Sequence, residues 1–485
     1  MNLNHSYTNP QFSLDFILQA TRGVLFNSNE GANRIFSGVE TDSRKDLKNK
    51  MFVALKGDVF DGHDFIKSAI EKGAGLILCH SSLNAEIQQA LSQQVSPKTL
   101  IVKVEDTLIG LQELATAQRQ SNSATIVGIT GSNGKTTTKE FAASVLGAFK
   151  KVHYSKGSFN NHWGVPITLL EQPPEAEIAL VEMGMNHAGE ITRLCEIADP
   201  DIVLCTSVGK AHIEFFETVE NIALAKEEIY KASRADALRI FNYDNPHTLK
   251  MYDQFQTSSS LVFSSENPQA DVFFQLEELS FEGMKVKGHI NGYKVAFEVP
   301  IFGKQNLINL MAAASIGLAA ELDHTHIEEG LKHCQTIWGR NQRVPLKSGG
   351  FIIFDAYNAN PDSMRSLLEN ARLIKNDGRR VGVFGQMLEM GAASPQLHEE
   401  LGELAGHACF HDIWFIGADE KSFAKGLAKT PYLGHYKGSS EFDDSVARQL
   451  AQSLQKGDAA LVKGSRGMKL ERFVMLADPI QFNPK

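Results

Sequence analysis

A glycine-rich loop between a predicted strand and a predicted helix constrains the fold of this chain most strongly. The apolar residues 125–129 predict a buried strand, and residues 136–150 predict a helix. Between them the chain reads Gly-Ile-Thr-Gly-Ser-Asn-Gly-Lys-Thr-Thr-Thr over residues 128–138. Glycines allow a tight turn that points backbone N–H groups at a phosphate chain, and the helix N-terminus adds partial positive charge. We therefore expect nucleotide phosphates here, with Lys135 at the terminal phosphates and the Thr136 hydroxyl on Mg²⁺.

The loop departs from the usual GxxxxGK[ST] spacing, because Ile129 stands where the first glycine would be. A glycine-rich turn with an incidental lysine is the alternative interpretation. The strand before the loop and the amphipathic helix after it disfavour that alternative. The apolar face of this helix is predicted to consist of Phe141, Val145, Leu146 and Phe149.

Short apolar runs alternate with helical stretches along most of the chain, which predicts an α/β fold with largely parallel, doubly wound sheets. At roughly 100–200 residues per domain, this length fits three domains. We place them at residues 1–122, 123–337 and 338–485. Strands are predicted at residues 51–55, 75–78, 100–104, 178–181, 202–205, 351–354, 381–384, 413–416 and 459–462, and further helices at 65–72, 219–232 and 307–322.

Composition excludes several classes of protein. The 57 acidic residues outnumber the 48 basic ones, giving a net charge of −9, which argues against a nucleic-acid or membrane-surface binder. No apolar run approaches the ~18 residues of a membrane span, and we expect no signal peptide. The five cysteines form no CxxC pair, which indicates reduced thiols rather than a zinc site. We expect a cytoplasmic protein.

Polar side chains directly follow three of the predicted strands: Glu182, Asp355 and Lys463. In open α/β sheets the ligand crevice lies at the carboxyl ends of the strands, so these residues are candidates for a site. A carboxylate near bound phosphates is a natural Mg²⁺ ligand, which favours that role for Glu182 over a merely solvated strand end. Lys463 with Ser465 is either an anion-binding pair or an ordinary cationic turn.

Two further segments carry polar groups after strands. His212, in Gly-Lys-Ala-His, is either the ligand of a second metal ion or the partner in a local hydrogen bond. Residues 355–363 place a carboxylate, a phenol, amides and a hydroxyl within nine positions, which is dense for a simple connecting loop. We therefore expect the third domain to contribute to the site.

Taken together, these motifs resemble the Mur ligase family over essentially the whole chain. The loop at 128–138, Glu-Met-Gly-Met-Asn at 182–186, the segment ending at His212 and the helical Lys226 are similar to its central pattern. Residues 302–309 are similar to its adenine-side segment, with Gln305 where His is usual. Gln386 stands where Asp is usual. The resemblance implies a three-domain architecture with a central P-loop-type, mostly parallel sheet and a Rossmann-like C-terminal domain.

Thr-Asp-Ser-Arg at 41–44, with residues 52–57 and 60–63, resembles the UDP-binding N-terminal domain shared by the tripeptide- and dipeptide-adding members of the family. Asp-Ala-Tyr-Asn-Ala-Asn-Pro-Asp-Ser-Met at 355–364 is similar to the dipeptide-adding member specifically. The resemblance implies ATP-dependent ligation of D-alanyl-D-alanine to UDP-N-acetylmuramoyl-tripeptide through an acyl phosphate, in peptidoglycan synthesis. It leaves open whether the third peptide residue is diaminopimelate or lysine. We expect a monomer.

The resemblance also implies roles for individual residues, with ATP and Mg²⁺ as cofactors and Lys226 as a carbamylated lysine. The implied catalytic residues are Lys135, His212 and Lys226, and the implied metal ligands are Thr136, Glu182 and His212. The implied ATP contacts are Gly131, Ser132, Asn133, Gly134, Lys135, Thr136, Thr137, Asn306, Asn309, Arg340 and Asp355. The implied UDP contacts are Ser43, Arg44, Lys56 and Gly57, and the implied dipeptide-side residues are Tyr357, Asn358, Asn360, Lys463 and Ser465.

Two other functions are compatible with the central motifs. A folylpolyglutamate synthetase-like ligase would share the central chemistry, but such enzymes begin directly with their ATPase domain, and the segments at 41–44 and 52–57 disfavour it. A P-loop regulator would bind nucleotide and a partner without ligating anything. The strand-end polar groups of the third domain disfavour that alternative.

Overall fold

The structure is a computed structural model that describes residues 7–26, 33–57, 59–82, 99–155 and 157–484. The chain divides into two compact units. The first comprises Met1–Thr130, Gly147–Leu204 and Glu228–Leu238, and the second comprises Gly131–Leu146, Cys205–Glu227 and Arg239–Lys485. The predicted α/β class is confirmed in both units. The domain boundaries at residues 122 and 337 stay a prediction.

The first unit begins with a five-stranded sheet, in which four strands pair in parallel and β2 pairs antiparallel at one edge. The strand order is β2-β7-β6-β5-β4, and β1 pairs with β3 separately. Phe52, Ile77 and Ile101 are buried in its core. The elements are β1 Phe12–Ser13, α1 Leu14–Thr21, β2 Val24–Leu25, β3 Ile35–Phe36, β4 Val39–Glu40, β5 Met51–Val53, α2 Ile66–Glu71, β6 Leu76–His80, β7 Leu100–Val104 and α3 Thr107–Gln120.

The same unit contains a second set of strands in the order β11-β8-β10-β9. β10 pairs in parallel with both β8 and β9. These strands are continuous apolar runs, as expected for a parallel sheet covered on both faces. The elements are β8 Thr125–Thr130, β9 Val152–Tyr154, α5 Gly164–Leu170, β10 Ile178–Glu182, α6 Glu190–Ala198, β11 Ile202–Cys205 and α9 Glu228–Lys231.

The second unit contains strands that sequence analysis does not predict. β12, β13 and β14 pair in parallel, and β14, β15 and β16 form an antiparallel meander. β15 and β16 alternate between buried and exposed residues, so they lack the continuous apolar run that marks the parallel strands. The strands are β12 Leu238–Asn242, β13 Leu261–Ser264, β14 Val272–Leu279, β15 Met284–Ile290 and β16 Tyr293–Val299. The accompanying helices are α4 Lys135–Gly147, α7 Ile213–Phe216, α8 Val219–Lys226, α10 Pro246–Phe255, α11 Asn306–Ala319 and α12 His324–Lys332.

The rest of the second unit is a six-stranded sheet in the order β17-β18-β22-β19-β20-β21. All neighbours pair in parallel except β17, which is antiparallel to β18. Separate hydrophobic clusters cover its two faces, as in a doubly wound fold. The elements are β17 Gln342–Pro345, β18 Phe351–Asp355, α13 Pro361–Leu373, β19 Arg380–Gly385, α14 Ser394–Gly406, β20 Asp412–Ile416, α15 Glu420–Leu427, β21 His435–Ser439, α16 Asp444–Gln452, β22 Ala459–Lys463 and α17 Glu471–Leu476.

Three helix predictions need correction. α4 ends at Gly147, so Phe149 lies beyond it and is 40% exposed instead of sharing its apolar face. The single helix predicted at 219–232 is interrupted at Glu227, between α8 and α9. α11 ends at Ala319, and α12 follows it before the next domain. In the described part of the chain, no helix combines the length and apolar character needed to cross a bilayer.

Candidate functional site

Two glycines give the phosphate loop a backbone path that other residues would not adopt. Gly131 has φ +145° and Gly134 has φ +85°, both in the left-handed region. A Cβ on Gly131 would overlap the Thr206 hydroxyl, and a Cβ on Gly134 would overlap the Asn309 side chain. Lys135 opens α4, and its Nζ donates to the Gly131 carbonyl at 2.8 Å. The loop therefore has the tight curvature and the lysine position that phosphate binding requires.

A second segment, residues 206–209, holds the phosphate loop in shape. The Thr206 hydroxyl donates to the Asn133 carbonyl at 2.6 Å, and Ser132 N donates to the Ser207 carbonyl at 2.7 Å. The Ser132 hydroxyl donates to the Gly209 carbonyl at 3.1 Å and accepts from Gly209 N at 2.9 Å. Because these bonds fix its backbone, the loop is preorganised for a ligand.

Two asparagines that sequence analysis does not single out support this second segment. Asn242 Nδ2 donates to the Thr206 carbonyl at 2.8 Å, and Asn245 Nδ2 donates to the Val208 carbonyl at 3.0 Å. Asn242 is fully buried at the end of β12. The available signal was its position, since a polar residue at the carboxyl end of a strand marks the ligand side of such sheets.

The adenine-side candidates Asn306 and Asn309 are buried in a network beside the loop. Asn306 Nδ2 donates to the Phe302 carbonyl at 2.8 Å, and Asn309 Nδ2 donates to Asn306 Oδ1 at 2.9 Å. Asn309 Oδ1 accepts from the Thr138 hydroxyl at 3.2 Å. These bonds tie the start of α11 to the first turns of α4. Direct contact of either asparagine with adenine stays a prediction.

A buried ion pair organises the loop after β18. Asp355 and Lys463 face each other in register on neighbouring parallel strands, and Lys463 Nζ lies 2.6 Å from Asp355 Oδ2. Lys463 also donates to the Asn358 carbonyl at 3.1 Å, and Asp355 Oδ1 accepts from Asn341 N at 3.0 Å. Both side chains thus have internal partners. The predicted roles of Asp355 toward ATP and of Lys463 toward the dipeptide stay predictions.

The same loop reaches the phosphate loop directly. Asn360 Nδ2 donates to Asn133 Oδ1 at 2.9 Å. Arg340 Nη2 donates to the Thr136 hydroxyl at 2.9 Å, and its guanidinium stacks over the Tyr357 ring at 4.5 Å. The structure therefore brings two of the predicted nucleotide and dipeptide residues, Arg340 and Asn360, against the predicted phosphate-binding segment, with Tyr357 stacked on Arg340.

A residue outside the predicted set joins this contact. Asp362, at the start of α13, accepts from Lys210 N at 2.7 Å. A Cβ on Gly209 would overlap its carboxylate, so the glycine allows this close approach. Ser465, a predicted dipeptide-side residue, accepts from Leu388 N at 2.9 Å and so holds the segment after β19.

His212 and Lys226 lie in the second unit with the phosphate loop. His212 has φ +62°, and its Nδ1 lies 3.1 Å from Glu389 Oε2, close enough for an ion pair but not aligned for a hydrogen bond. Lys226 is the last residue of α8 and only 1% exposed. Burial, and then the nearby charge of Lys135, lowers the pKa of Lys226 to about 7. Lys226 is thus an amine that is partly neutral at physiological pH.

Glu182 is the last residue of β10, in the first unit, and is 1% exposed. Asn160 Nδ2 donates to Glu182 Oε1 at 2.8 Å, and Gly184 N donates to the Asn160 carbonyl at 2.7 Å. A Cβ on Gly184 would lie 2.9 Å from the Asn160 side chain. Asn160 therefore orients the carboxylate, a role that the sequence signals only through adjacent asparagines after β9.

The predicted UDP-side residues lie near the turns after β4 and β5 of the first unit. Ser43 is buried, while Arg44 is exposed. The Arg44 guanidinium forms a bidentate ion pair with the Asp42 carboxylate, with hydrogen bonds of 2.9 and 2.8 Å. Hydrogen bonds from Arg44 lower the pKa of Asp42 to about 2. Lys56 is exposed, and Gly57 N donates to the Phe60 carbonyl at 2.9 Å. Contact of these four predicted residues with UDP stays a prediction.

Thr136 and Glu182 are the candidate oxygen ligands for Mg²⁺. Among the described residues, no three His, Cys, Asp or Glu side chains converge into a metal site of their own. Mg²⁺ ordinarily takes one or two protein oxygen ligands and completes its shell with water and phosphate oxygens. The Thr136 hydroxyl in the second unit and the buried, oriented Glu182 carboxylate in the first are each oxygen ligands of this chemical type, and a shared Mg²⁺ site stays a prediction.

Comparison with known families identifies three consecutive matches. Residues 35–119 match the model described as Mur ligase family, catalytic domain. Residues 129–317 match Mur ligase middle domain, and residues 339–466 match Mur ligase, glutamate ligase domain. The three-domain architecture implied by the sequence is therefore confirmed.

Individual relatives match over almost the whole chain. The UDP-N-acetylmuramoyl-tripeptide–D-alanyl-D-alanine ligase of Bacillus subtilis is 33% identical, covering 94% of this chain and 96% of the relative. The Escherichia coli protein of the same name is 31% identical, covering 93% and 96%. The crystal structure of MurF from Acinetobacter baumannii superposes with a TM-score of 0.85, at 26% identity over 97% of this chain and 99% of that chain. MurF ligase from Thermotoga maritima, in complex with ADP, has a TM-score of 0.76 at 28% identity, over 91% and 96%.

The buried ion pair generates a stability prediction. Lys463→Met leaves the Asp355 carboxylate buried without its cation, so we expect a loss of about 3–5 kcal/mol in unfolding free energy. The double variant Asp355→Asn/Lys463→Met removes both charges and should lose clearly less. Urea unfolding at neutral pH measures both changes.

The exposed pair of Lys347 and Asp478, with side chains 65% and 69% exposed, supplies the matched control. Lys347→Met should change stability by less than about 1 kcal/mol. A Lys463→Met variant as stable as its double partner would contradict the assignment of a buried, mutually neutralising pair.

Proposed function

The chain belongs to the Mur ligase family, and on that premise we propose that it joins D-alanyl-D-alanine to UDP-N-acetylmuramoyl-tripeptide at the expense of ATP, in peptidoglycan synthesis. Relatives named for this reaction match it over more than nine-tenths of its length. The observation that carries the proposal is the contact between the 355–364 segment and the phosphate loop, through Asn360 and Asn133. A regulator that only binds nucleotide does not need a second polar segment at that place.

The reaction requires activation of a carboxylate. A carboxylate does not condense with an amine at neutral pH, because hydroxide is a poor leaving group. In the proposed sequence, a terminal carboxylate oxygen of the tripeptide attacks the γ-phosphorus of ATP, forming an acyl phosphate and releasing ADP. The amine of D-alanyl-D-alanine then attacks the acyl carbon, phosphate leaves with the bonding electrons, and the amine loses a proton. The ADP in the Thermotoga maritima relative supports the nucleotide assignment.

The protein's part in this reaction is positioning and charge neutralisation. The backbone N–H groups of the preorganised loop and the Lys135 ammonium offset the negative charge of the phosphates. Arg340 adds a second cation at Thr136, and its stacking on Tyr357 fixes its direction. When bound, Mg²⁺ would add further charge neutralisation on the phosphates, held by Thr136 and Glu182 with His212 as the candidate for a second ion.

Lys226 has a different proposed role. Its neutral amine can attack CO₂ and lose a proton, which gives an N–C bond and an anionic carbamate. Burial and the nearby Lys135 charge keep a large share of the amine neutral near pH 7, and the same positive charge stabilises a carbamate once formed. We propose that Lys226 functions as this anion and not as an ammonium.

Carbamylation predicts a signal with a defined pH dependence. In ¹³C-labelled bicarbonate, a carbamate resonance should appear at pH 8 and decline toward pH 6, because protonation of an amine with a pKa of about 7 removes the nucleophile. The Lys226→Met variant should lack the signal, and Lys250→Met, at an exposed lysine of α10, should retain it. Identical spectra for the Lys226→Met variant and the parent protein would refute the modification.

The reaction itself is tested by ADP release. Continuous, multiple-turnover ADP release should require ATP, the UDP-linked tripeptide and D-alanyl-D-alanine together, and one pentapeptide should then form per ADP. Lys135→Ala should reduce turnover by at least a hundredfold without unfolding the protein, since it removes a cation from the developing charge. Lys250→Ala should turn over normally. ADP release that depends instead on a folate and glutamate would support the folylpolyglutamate synthetase-like alternative.

Substitutions of the predicted UDP-side residues should change the KM for the UDP substrate but not the KM for ATP. We propose that Arg44 and Lys56 contact the UDP moiety, because both are exposed cations on adjacent turns. Replacing either with Ala should raise the KM for the UDP substrate about tenfold and change the KM for ATP less than twofold. Lys67→Ala, at an exposed lysine of α2, is the control. Equal losses for both ligands would show that the UDP site lies elsewhere.

We also propose a cytoplasmic location and a monomeric state. Both substrates of the first chemical step, ATP and a UDP-linked precursor, are cytoplasmic metabolites. Four of the five cysteines are buried free thiols, as expected where disulfides do not form. Cell fractionation and sedimentation of the purified protein test these two statements.

A further inference from the structure

Asn370, near the end of α13, makes hydrogen bonds that the proposed chemistry does not use. It is 2% exposed. Its Oδ1 accepts from Lys304 N at 2.9 Å, and its Nδ2 donates to Gln305 Oε1 at 2.6 Å and to the Ser366 carbonyl at 2.7 Å. One buried side chain thus binds both the backbone and the side chain of the segment that immediately precedes α11.

The backbone of that segment is shaped to allow this contact. Gly303 has φ +101°, and a Cβ there would lie 2.6 Å from Gln305 Nε2 and 2.8 Å from Gln305 Oε1. The Gln305 amide therefore folds back over the glycine to meet Asn370. Since a side chain at 303 would displace the amide, the glycine and the two amides form one fitted arrangement.

From this arrangement a continuous chain of contacts leads to the phosphate loop. Asn306 opens α11, directly after Gln305, and accepts from Asn309 at 2.9 Å. Asn309 in turn accepts from the Thr138 hydroxyl at 3.2 Å and occupies the space beside Gly134. Any shift at the start of α11 would therefore displace the side chain that packs on the loop.

The opposite end of α13 contacts the same region. Asn360, which caps this helix, donates to Asn133, and Asp362 accepts from Lys210 N. The helix is thus anchored at its start to the phosphate loop and near its end to the segment before α11. Asn370 and Gln305 form the second anchor of α13.

We propose that Asn370 and Gln305 are a positioning pair for nucleotide binding, which acts through the start of α11 and Asn309 on the phosphate loop. Neither residue needs to touch the nucleotide in this role. The inference rests on the proposed function for the identity of the nucleotide, ATP or its product ADP. It differs from a merely structural role, because a structural pair would affect stability but not the affinity for one ligand in particular.

The test measures ADP binding directly by calorimetry with magnesium present, on the full chain. Gln305→Met and Asn370→Leu keep side-chain volume and remove the shared hydrogen bond, so each should weaken ADP binding about three- to tenfold. The double variant should bind ADP with the affinity of whichever single variant binds it more weakly, and not below it. The reason is that both substitutions break the same hydrogen-bonded arrangement. Gln305→Glu keeps an oxygen that accepts from Asn370 and should bind ADP within about twofold of the parent protein.

Ser366→Ala is the matched control, because its hydroxyl bonds only within α13, to the Asp362 carbonyl at 2.9 Å, and it should leave ADP affinity unchanged. In turnover assays, the KM for ATP should rise with the ADP dissociation constant, while the KM for the UDP substrate should change less than twofold. Unchanged ADP affinity in the single variants, strictly additive losses in the double variant, or equal rises of both KM values would overturn the proposal. If Asn370→Leu does not fold, Gln305→Met and Gln305→Glu decide the question alone.

The ADP titration needs no acceptor substrate. A parent protein that binds ADP but forms no pentapeptide would therefore count against the proposed function and leave the positioning pair intact. If the parent protein forms pentapeptide but the variants bind ADP normally, the proposed function stands and the positioning pair is refuted.

Discussion

Close packing of polar side chains against Gly131 and Gly134 shapes the phosphate loop, and the second unit is arranged around that packing. The Thr206 hydroxyl and the Asn309 amide occupy the space that a Cβ would need at either glycine. The same two groups are hydrogen-bonded in turn, to the Asn133 carbonyl and to Thr138. These contacts therefore order the loop backbone when the chain folds, before any ligand binds. A preorganised set of N–H groups stabilises phosphate charge better than one that must reorganise.

A second constraint is electrostatic. Lys463 and Asp355 meet on neighbouring parallel strands, with Lys463 2% exposed. A charge at that depth is tolerated only with a partner and with further hydrogen bonds, which the Asn358 carbonyl and Asn341 N supply. Satisfying both charges internally fixes the loop after β18, so that Asn360 and Arg340 reach the phosphate loop as positioned groups. Lys226 differs from Lys463, because it is buried beside a second cation, Lys135, and not beside a carboxylate. Burial and that charge lower the pKa of Lys226 to about 7.

The parts of the fold whose signals are local can be predicted from the sequence. Strand β11 has the predicted bounds, and the four strands predicted in the last domain, β18, β19, β20 and β22, differ from prediction by one residue at one or both ends. Strands β17 and β21 of that domain were not predicted. Strands β15 and β16 were missed, because buried and more exposed residues alternate along them and interrupt the apolar run. The helix at 219–232 was predicted as one element because periodicity does not reveal the interruption at Glu227. Phe149 was assigned to a helix face although α4 ends two residues earlier.

The sequence by itself determined the α/β class, the glycine-rich phosphate loop and the family, since alternation of short apolar runs with helices and fixed glycine spacing are properties of neighbouring residues. Only the tertiary structure decided which polar groups are used internally. Asp355 and Lys463 are separated by 108 positions, and Asn133 and Asn360 by 227. Their pairing depends on strand order and register, which no local pattern specifies. Asn160 and Asn370 likewise appear ordinary in the sequence, and acquire their roles because folding places each of them against particular hydrogen-bond partners.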